Sequence, residues 1–198
     1  MKALILVDLQ YDFLPGGALA VPQGDQVISI ANDWMPRFEL VVATQDWHPL
    51  NHQSFASRHA DKQIGDLIEL KGLEQVLWPD HCVQGTPGAE LHADLDTDRI
   101  TRVFQKGTDI YVDSYSGFFN NCHQHSTGLA EYLKERAVNE VSIMGLATDY
   151  CVKYTALDAI KLGLKTSLIL EGCRGVNLNP GDVQRACEEM QAAGVKHI

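Results

Sequence analysis

The sequence predicts an α/β fold, a three-layer sandwich in which helices cover both faces of a central parallel sheet. Two observations support this prediction. Short apolar runs alternate with longer amphipathic stretches along the 198 residues, as in chains built from strand–helix–strand units. The apolar runs are continuous rather than alternating, which is typical of strands buried on both faces. The expected architecture is therefore Rossmann-like, with one domain over residues 1–198.

The first half of the chain supplies three of the predicted strands. Residues 3–7 are five consecutive apolar residues, residues 40–44 are a similar run that ends in Thr44, and residues 100–104 are predicted as a third strand. A helix is predicted over 27–38, between the first two strands. The segment 49–98 is less regular, with three prolines and many polar residues. A long irregular connection in a compact domain usually serves a function.

The second half alternates more regularly. Residues 150–162 repeat apolar side chains at the spacing of one helix face, and Thr148 and Asp149 are candidate N-caps for that helix. The predicted elements are helices over 127–137, 150–162 and 182–193, strands over 141–144 and 166–170, and a short final strand over 195–198.

Composition excludes several classes of protein. A net charge of −10 leaves little positive charge for a nucleic-acid interface. No apolar run approaches the roughly 20 residues that span a bilayer, and the N-terminus does not resemble a signal peptide. The five cysteines are odd in number and irregularly spaced, which argues against a disulfide framework. These features predict a cytoplasmic protein with reduced thiols.

Cys151 lies where a predicted strand gives way to a helix. Backbone N–H groups and the positive end of the helix dipole favour a thiolate at such a position. A thiolate there is a nucleophile with oxyanion donors around it. The competing interpretation is a small buried hydrophobic residue, which is what most intracellular cysteines are.

Three other strand ends carry polar groups. Asp8 follows the first strand directly, Asp46 and His48 follow the second, and Lys106 follows the third. Because the carboxyl ends of parallel strands meet at one edge of the sheet, we expect these groups near Cys151. Asp8 then accepts the thiol proton, and Lys106 favours the thiolate and tunes the carboxylate. Alternatively, Asp8 caps a helix and Lys106 is solvated.

A metal site is predicted at the same edge. Asp46 and His48 have a two-residue ligand spacing, His52 follows four residues later, and His81 lies in a second histidine-containing segment. Carboxylate and imidazole ligands suit Zn²⁺, Mn²⁺ or Fe²⁺. Such a short motif also occurs by chance.

Together these residues lie in segments that resemble the isochorismatase-like cysteine hydrolases, and within them the bacterial nicotinamidases. The matching segments cover most of the chain in family order and are ALILVDLQYDF (3–13), PGGALAVPQGD (15–25), TQDWHPLNHQSFA (44–56), WPDHCVQGTPGAEL (78–91), KGTDIYVDSYSGF (106–118), MGLATDYCVKYTALDA (144–159) and EGCRGV (171–176).

The resemblance implies a role for each matching residue. It implies a catalytic triad of Asp8, Lys106 and Cys151. It also implies a cis peptide before Ala147, whose N–H joins that of Cys151 in an oxyanion hole. The implied metal ligands are Asp46, His48 and His81, with His52 as a further ligand or an outer residue. The residues implied to line the pocket around a pyridine ring are Phe13, Trp78 and Tyr115.

The implied reaction converts nicotinamide and water to nicotinate and ammonia, in NAD salvage, with zinc as the expected metal and pyrazinamide as a further substrate. The resemblance also implies possible self-association. Three alternatives stay open at this point. They are another hydrolase of the family acting on isochorismate, N-carbamoyl or ureido compounds, a member that lost catalysis, and a thiol redox sensor.

Overall fold

The computed structural model describes residues 1–198. The strands are β1 (Lys2–Val7), β2 (Leu40–Asp46), β3 (Leu67–Leu70), β4 (Leu73–Val76), β5 (Arg102–Lys106), β6 (Glu140–Leu146), β7 (Lys165–Arg174) and β8 (Lys196–His197). The α-helices are α1 (Gln26–Trp34), α2 (Leu129–Glu135), α3 (Lys153–Lys161) and α4 (Asp182–Ala192).

Six strands form one parallel sheet in the order β5-β2-β1-β6-β7-β8. Every residue of β1 after Lys2 is buried, so both faces of the sheet are covered. From β1 the chain adds β2 on one side of the sheet, and later adds β6, β7 and β8 on the other side. With right-handed crossovers, this order places α1 on one face of the sheet and the other helices on the opposite face. The predicted α/β sandwich is confirmed.

The sheet reverses its direction of growth between β1 and β6. These two strands pair from Lys2 opposite Glu140 to Val7 opposite Gly145. After β1 the chain adds β2 and β5 on one side of β1, and after β6 it adds β7 and β8 on the other side. In open parallel sheets ligands bind at such a reversal, beyond the carboxyl ends of the strands. Asp8 and the turn that carries Cys151 follow these two strands.

Several predicted boundaries shift by a few residues. The α-helix predicted over 27–38 ends at Trp34 and continues as a 3-10 turn (Met35–Arg37), because Pro36 has no N–H for an α-helical hydrogen bond. The strand predicted over 40–44 extends to Asp46, which pairs with Lys106 of β5. The helix predicted over 150–162 begins instead with a π-helical turn (Thr148–Val152), and α3 follows it.

The 49–98 segment is irregular, as predicted, but it contains a hairpin that was not predicted. β3 and β4 pair antiparallel in a separate two-stranded sheet. The side chains of β3 alternate between exposed and half-buried, so the strand lacks the continuous apolar run of the central strands. No helix of the structure is long and apolar enough to cross a membrane.

Candidate active site

Four strand ends bring polar side chains together at one edge of the sheet. Asp8 follows β1, and Cys151 lies in the π-helical turn after β6. Asp46 and Lys106 are the last residues of the neighbouring strands β2 and β5, where they lie opposite each other. The predicted convergence of these residues is therefore found in the structure.

Lys106 lies at the centre of this group. Its Nζ is 3.0 Å from Asp8 Oδ2, 3.0 Å from Asp46 Oδ1 and 3.4 Å from Cys151 Sγ, and it donates to the Ser114 carbonyl at 2.9 Å. The three hydrogens of the ammonium serve the hydrogen bonds to Asp46, Ser114 and Cys151, whereas Asp8 Oδ2 is held by the ion pair alone. The residue is 2% exposed, which rules out the solvated alternative. The two carboxylates outweigh the effect of burial and hold the pKa of Lys106 well above its usual range.

Asp8 is a buried carboxyl rather than a helix cap. Thr44 donates its hydroxyl to Asp8 Oδ1 at 2.6 Å, and the Asp8 backbone is left-handed with φ 51°. Burial raises the pKa of this carboxyl above its usual value, and Lys106 opposes that rise. Such a carboxyl has a higher proton affinity than an exposed aspartate and is suited to accept a proton.

Cys151 is a buried residue of the π-helical turn. Burial raises the pKa of the Cys151 thiol well above its usual value, although the nearby Lys106 lowers it. Burial therefore opposes the thiolate that the helix end and Lys106 are expected to favour, and that expectation stays a prediction. Asp8 is placed to accept the thiol proton, because its Oδ2 and the Cys151 sulfur lie 3.0 Å and 3.4 Å from the same Lys106 Nζ.

The predicted N-caps do not cap the helix. Neither Thr148 nor Asp149 makes a side-chain capping bond, and the turn starts from Ala147. Asp149 accepts instead from the backbone N–H groups of Val176 and Asn177, in the loop after β7. The tertiary contact therefore replaces the local one.

The turn also presents a free backbone donor. The peptide bond between Leu146 and Ala147 is cis. The Ala147 N–H donates to no backbone or side-chain acceptor, whereas the Ala147 carbonyl accepts from Tyr150 and Val152. Ala147 and Cys151 both line the same pocket. A free N–H beside the nucleophile has the chemistry of an oxyanion-hole donor.

Asp46, His48 and His81 form a group that could hold a metal ion. The Nδ1 atoms of His48 and His81 lie 2.9 Å and 2.7 Å from backbone carbonyls, so both must donate there. Their Nε2 atoms lie 3.0 Å and 3.4 Å from Asp46 Oδ2. In neutral imidazoles these Nε2 lone pairs face a carboxylate, an arrangement that calls for a cation between them. The residues present therefore fit a divalent metal.

His52 differs from the other two histidines. Its Nδ1 accepts the Ser54 backbone N–H at 3.1 Å, so in neutral His52 the hydrogen is on Nε2. That Nε2 is buried without a hydrogen-bond partner, near His48 and Asp113. Burial lowers the pKa of His52 to about 4, so the ring is neutral at physiological pH. With Nε2 protonated the ring donates hydrogen bonds only, although His48, His52 and Asp113 also form a group that could hold a metal.

A narrow pocket joins the metal-binding group to Cys151. Its lining includes the predicted aromatic residues Phe13, Trp78 and Tyr115. The Tyr115 hydroxyl accepts from Trp78 Nε1 at 3.2 Å and from Gln75 Nε2 at 3.0 Å. These bonds fix the aromatic wall from the side of the β3–β4 hairpin, because Gln75 lies on β4.

Sequence reasoning missed several lining residues. Leu19, Asp113, Tyr150 and Val176 also line the pocket. Tyr150 packs edge-on against Trp78, with ring centroids 4.8 Å apart. All four lie in segments that match the family, but none of them follows a predicted strand directly with a side chain that signals the site. Their shared position depends on loops whose course is not encoded in a local pattern.

Comparison with known proteins identifies relatives along the whole chain. The Isochorismatase domain family matches residues 2–198. The nicotinamidase of Escherichia coli (strain K12) is 52% identical over 197 residues, which cover 98% of this chain and 92% of that protein.

Solved structures agree with this relationship. An Acinetobacter baumanii nicotinamidase is 47% identical with a TM-score of 0.96, covering 100% of this chain and 95% of the other. A protein of L. infantum in complex with nicotinate is 37% identical with a TM-score of 0.87, covering 100% and 92%. The pyrazinamidase of Pyrococcus horikoshii in complex with zinc is 41% identical with a TM-score of 0.81, covering 100% and 98%.

Proposed function

We propose, from the premise that the chain belongs to the isochorismatase family and is an amide hydrolase, that it converts nicotinamide and water to nicotinate and ammonia through a Cys151 thioester. The similarity to nicotinamidases and to a pyrazinamidase supports nicotinamide and pyrazinamide as substrates. The nicotinate released would serve NAD salvage. The domain is proposed to span residues 1–198.

One observation carries the proposed mechanism. The buried Lys106 ammonium touches a carboxylate, a thiol and a carboxylate of the metal-binding group, and the thiol lines an aromatic pocket. Neither a redox sensor nor a protein that had lost catalysis needs a buried lysine held in this way. A cysteine hydrolase needs a base, a cation and a substrate pocket around its nucleophile.

The first half of the reaction uses the Asp8–Lys106–Cys151 triad. Asp8 accepts the Cys151 proton, and Lys106 stabilises the resulting thiolate. The thiolate attacks the carboxamide carbon, and a C–S bond forms. The N–H groups of Ala147 and Cys151 donate to the oxyanion of the tetrahedral intermediate. Asp8 then returns its proton to the leaving nitrogen, and ammonia departs as the C–N bond breaks.

The second half hydrolyses the thioester. Water attacks the acyl carbon and Asp8 takes a proton from it. The C–S bond then breaks, Asp8 returns that proton to the Cys151 sulfur, and the released acid loses its own proton to solvent and leaves as nicotinate. Asp8 therefore acts as base and acid in turn, a role that suits a carboxyl whose pKa burial has raised.

A divalent metal, with zinc as the first expectation, is proposed to be held by Asp46, His48 and His81. When bound, it supplies a Lewis-acid position for the pyridine nitrogen and so orients the ring. We assign His52 to an outer position, because its Nδ1 is committed to the Ser54 N–H and its Nε2 carries hydrogen. Phe13, Trp78 and Tyr115 are proposed to enclose the flat ring.

An ammonia-release assay with nicotinamide, with and without a chelator, tests the function. We expect ammonia from the wild type, loss of activity with the chelator, and recovery with added Zn²⁺. Cys151→Ala is expected to lose at least about a thousandfold in kcat, since the reaction has no other nucleophile. Cys122→Ala, at a half-buried free cysteine outside the pocket, serves as the matched control.

Two outcomes would contradict the proposal. Cys151→Ala activity above a few per cent of wild type would exclude the thioester. Absence of nicotinamide turnover in a protein without bound metal would favour isochorismate, N-carbamoyl or ureido substrates.

A further inference from the structure

Asp149 is a buried carboxylate next to the pocket that the proposed mechanism does not use. It is 5% exposed, and no lysine or arginine forms an ion pair with it. Instead, its two oxygens accept separate backbone bonds, from the Val176 N–H at 3.0 Å and from the Asn177 N–H at 2.7 Å. A buried carboxylate held only by backbone donors fixes the position of the segment that donates.

The neighbouring backbone is shaped for this close approach. A Cβ at Gly175 would lie 2.9 Å from Asp149 Oδ1 and 2.2 Å from Val183 Cγ2, so a side chain there would force the loop away. Asn177 has a left-handed backbone with φ 55°, and its Oδ1 accepts from the Val183 N–H at the start of α4. The loop is therefore tied to the π-helical turn on one side and to α4 on the other.

The two segments joined by Asp149 both line the pocket. Tyr150 and Cys151 follow Asp149 directly and line the pocket, and Val176 lines it from the loop. The two N–H groups that Asp149 accepts come from Val176 itself and from its neighbour. The position of Val176 relative to the Cys151 sulfur thus depends on this carboxylate.

We propose that Asp149 is a positioning residue that holds the Val176 wall of the pocket against the turn carrying Cys151, and so sets the fit of the substrate ring. The proposal rests on the proposed function for its kinetic test. It predicts that loss of the two hydrogen bonds weakens substrate binding and opens access to the sulfur, with little change in the chemistry at Cys151.

Asp149→Asn is the first test, because the amide nitrogen of asparagine cannot accept one of the two N–H groups. We expect KM for nicotinamide to rise about tenfold and kcat to stay within about threefold. Alkylation of Cys151 by N-ethylmaleimide, mapped by peptide mass spectrometry, should become faster. Asp158→Asn is the matched control, since Asp158 is 4% exposed but bonds His123 and Lys161 outside the pocket.

Gly175→Ala tests the same contact from the loop without changing charge, and it decides the question if Asp149→Asn does not fold. It should also raise KM and accelerate alkylation. Unchanged KM and alkylation in a folded variant of either kind would overturn the proposal, as would equal effects in Asp158→Asn. If the wild type does not turn over nicotinamide, the proposed function fails, and alkylation alone still tests the position of the wall.

Discussion

The Lys106 ammonium contacts groups that serve different parts of the proposed reaction. Its Nζ lies within 3.4 Å of Asp8, the proposed base, Cys151, the proposed nucleophile, and Asp46, a proposed metal ligand. Burying a charge is costly unless its partners are equally well placed, and here two carboxylates compensate it. Removal of the lysine would leave Asp8 and Asp46 as neighbouring buried carboxyls without a cation.

Lys106→Met is therefore expected to lower the free energy of unfolding by about 3–5 kcal/mol and to abolish amidase activity. Urea denaturation and the ammonia assay measure the two effects. Lys2→Met is the control, because the Lys2 side chain is 67% exposed and solvent screens its ion pair with Glu140. Equal stability losses in both variants would refute the compensating role of Lys106.

The pH dependence of the reaction should report Asp8. Its carboxyl must be ionised to accept the Cys151 proton, so kcat/KM falls as the pH drops through the Asp8 pKa. Because burial raises that pKa, the acid limb should lie above the 3.8 of an ordinary aspartate. A pH–rate profile measures it, and an acid limb at or below 3.8 would contradict the assignment. Asp8→Asn should reduce kcat by about 10²–10⁴.

Metal content should separate His52 from the ligands. Asp46→Ala and His48→Ala are expected to lose the bound metal, whereas His52→Ala should weaken metal affinity by about 10–100-fold while still binding it. Metal analysis of purified protein and titration with Zn²⁺ make the measurement. Loss of all metal from His52→Ala would show that His52 is a ligand, and unchanged content in the other two would exclude them.

At the scale of residues, strand-end chemistry was predictable and its surroundings were not. Asp8, Asp46 and Lys106 stand directly at or after apolar runs, so topology alone brings them together. Three other features depend on contacts remote in sequence. They are the raised pKa of the Cys151 thiol, the hydrogen bond that Asp149 accepts from a distant loop, and the absence of a hydrogen-bond partner for His52 Nε2. Short-range patterns carry no record of such contacts.

At the scale of elements, the approach of β6 to β1 requires a glycine. Gly145 has φ 132°, and a Cβ there would lie 2.1 Å from the Val7 carbonyl oxygen. The two strands meet at this point, one residue before Asp8 on β1 and shortly before the turn with Cys151 on β6. Backbone cannot move aside as a flexible side chain can, so a larger residue must displace the strand.

Gly145→Ala is expected to destabilise the fold by about 3 kcal/mol or more, since both the clash and the backbone conformation oppose it. Denaturant unfolding measures the loss. Gly163→Ala is the comparison, because Gly163 also has a left-handed backbone (φ 81°) but open space around it. A cost at Gly145 no larger than that at Gly163 would show that the close approach is not limiting.

Among the elements, the central strands were easier to predict than the hairpin. Continuous apolar runs such as that of β1 identify buried parallel strands directly, whereas β3 and β4 are four residues each and mostly exposed or half-buried. The π-helical turn has the same apolar spacing as an α-helix over its few residues, so sequence periodicity does not distinguish them.

At the scale of the whole molecule, three parts of the chain contribute residues to the proposed site. The strand ends supply Asp8, Asp46 and Lys106, the turn after β6 supplies Cys151, and the 49–98 segment supplies His81 and Trp78. A metal ion held by Asp46 of the strands and His81 of that segment would bind only when the protein is folded. Its binding free energy therefore adds to the stability of the fold.

Added Zn²⁺ should raise the melting temperature of the metal-free protein, with a stabilisation of about 2.7 kcal/mol at a free concentration a hundred times Kd. Differential scanning calorimetry measures the shift. Asp46→Ala should abolish it, and a shift that persists in that variant would place the metal elsewhere.

The 49–98 segment adds no strand to the central sheet, although it carries Trp78 and His81. Its share of the pocket wall is therefore independent of the hydrogen bonding of the central sheet. Substitutions at Trp78 can reshape the space around the substrate ring, while the strand order that aligns Asp8, Lys106 and Cys151 stays intact.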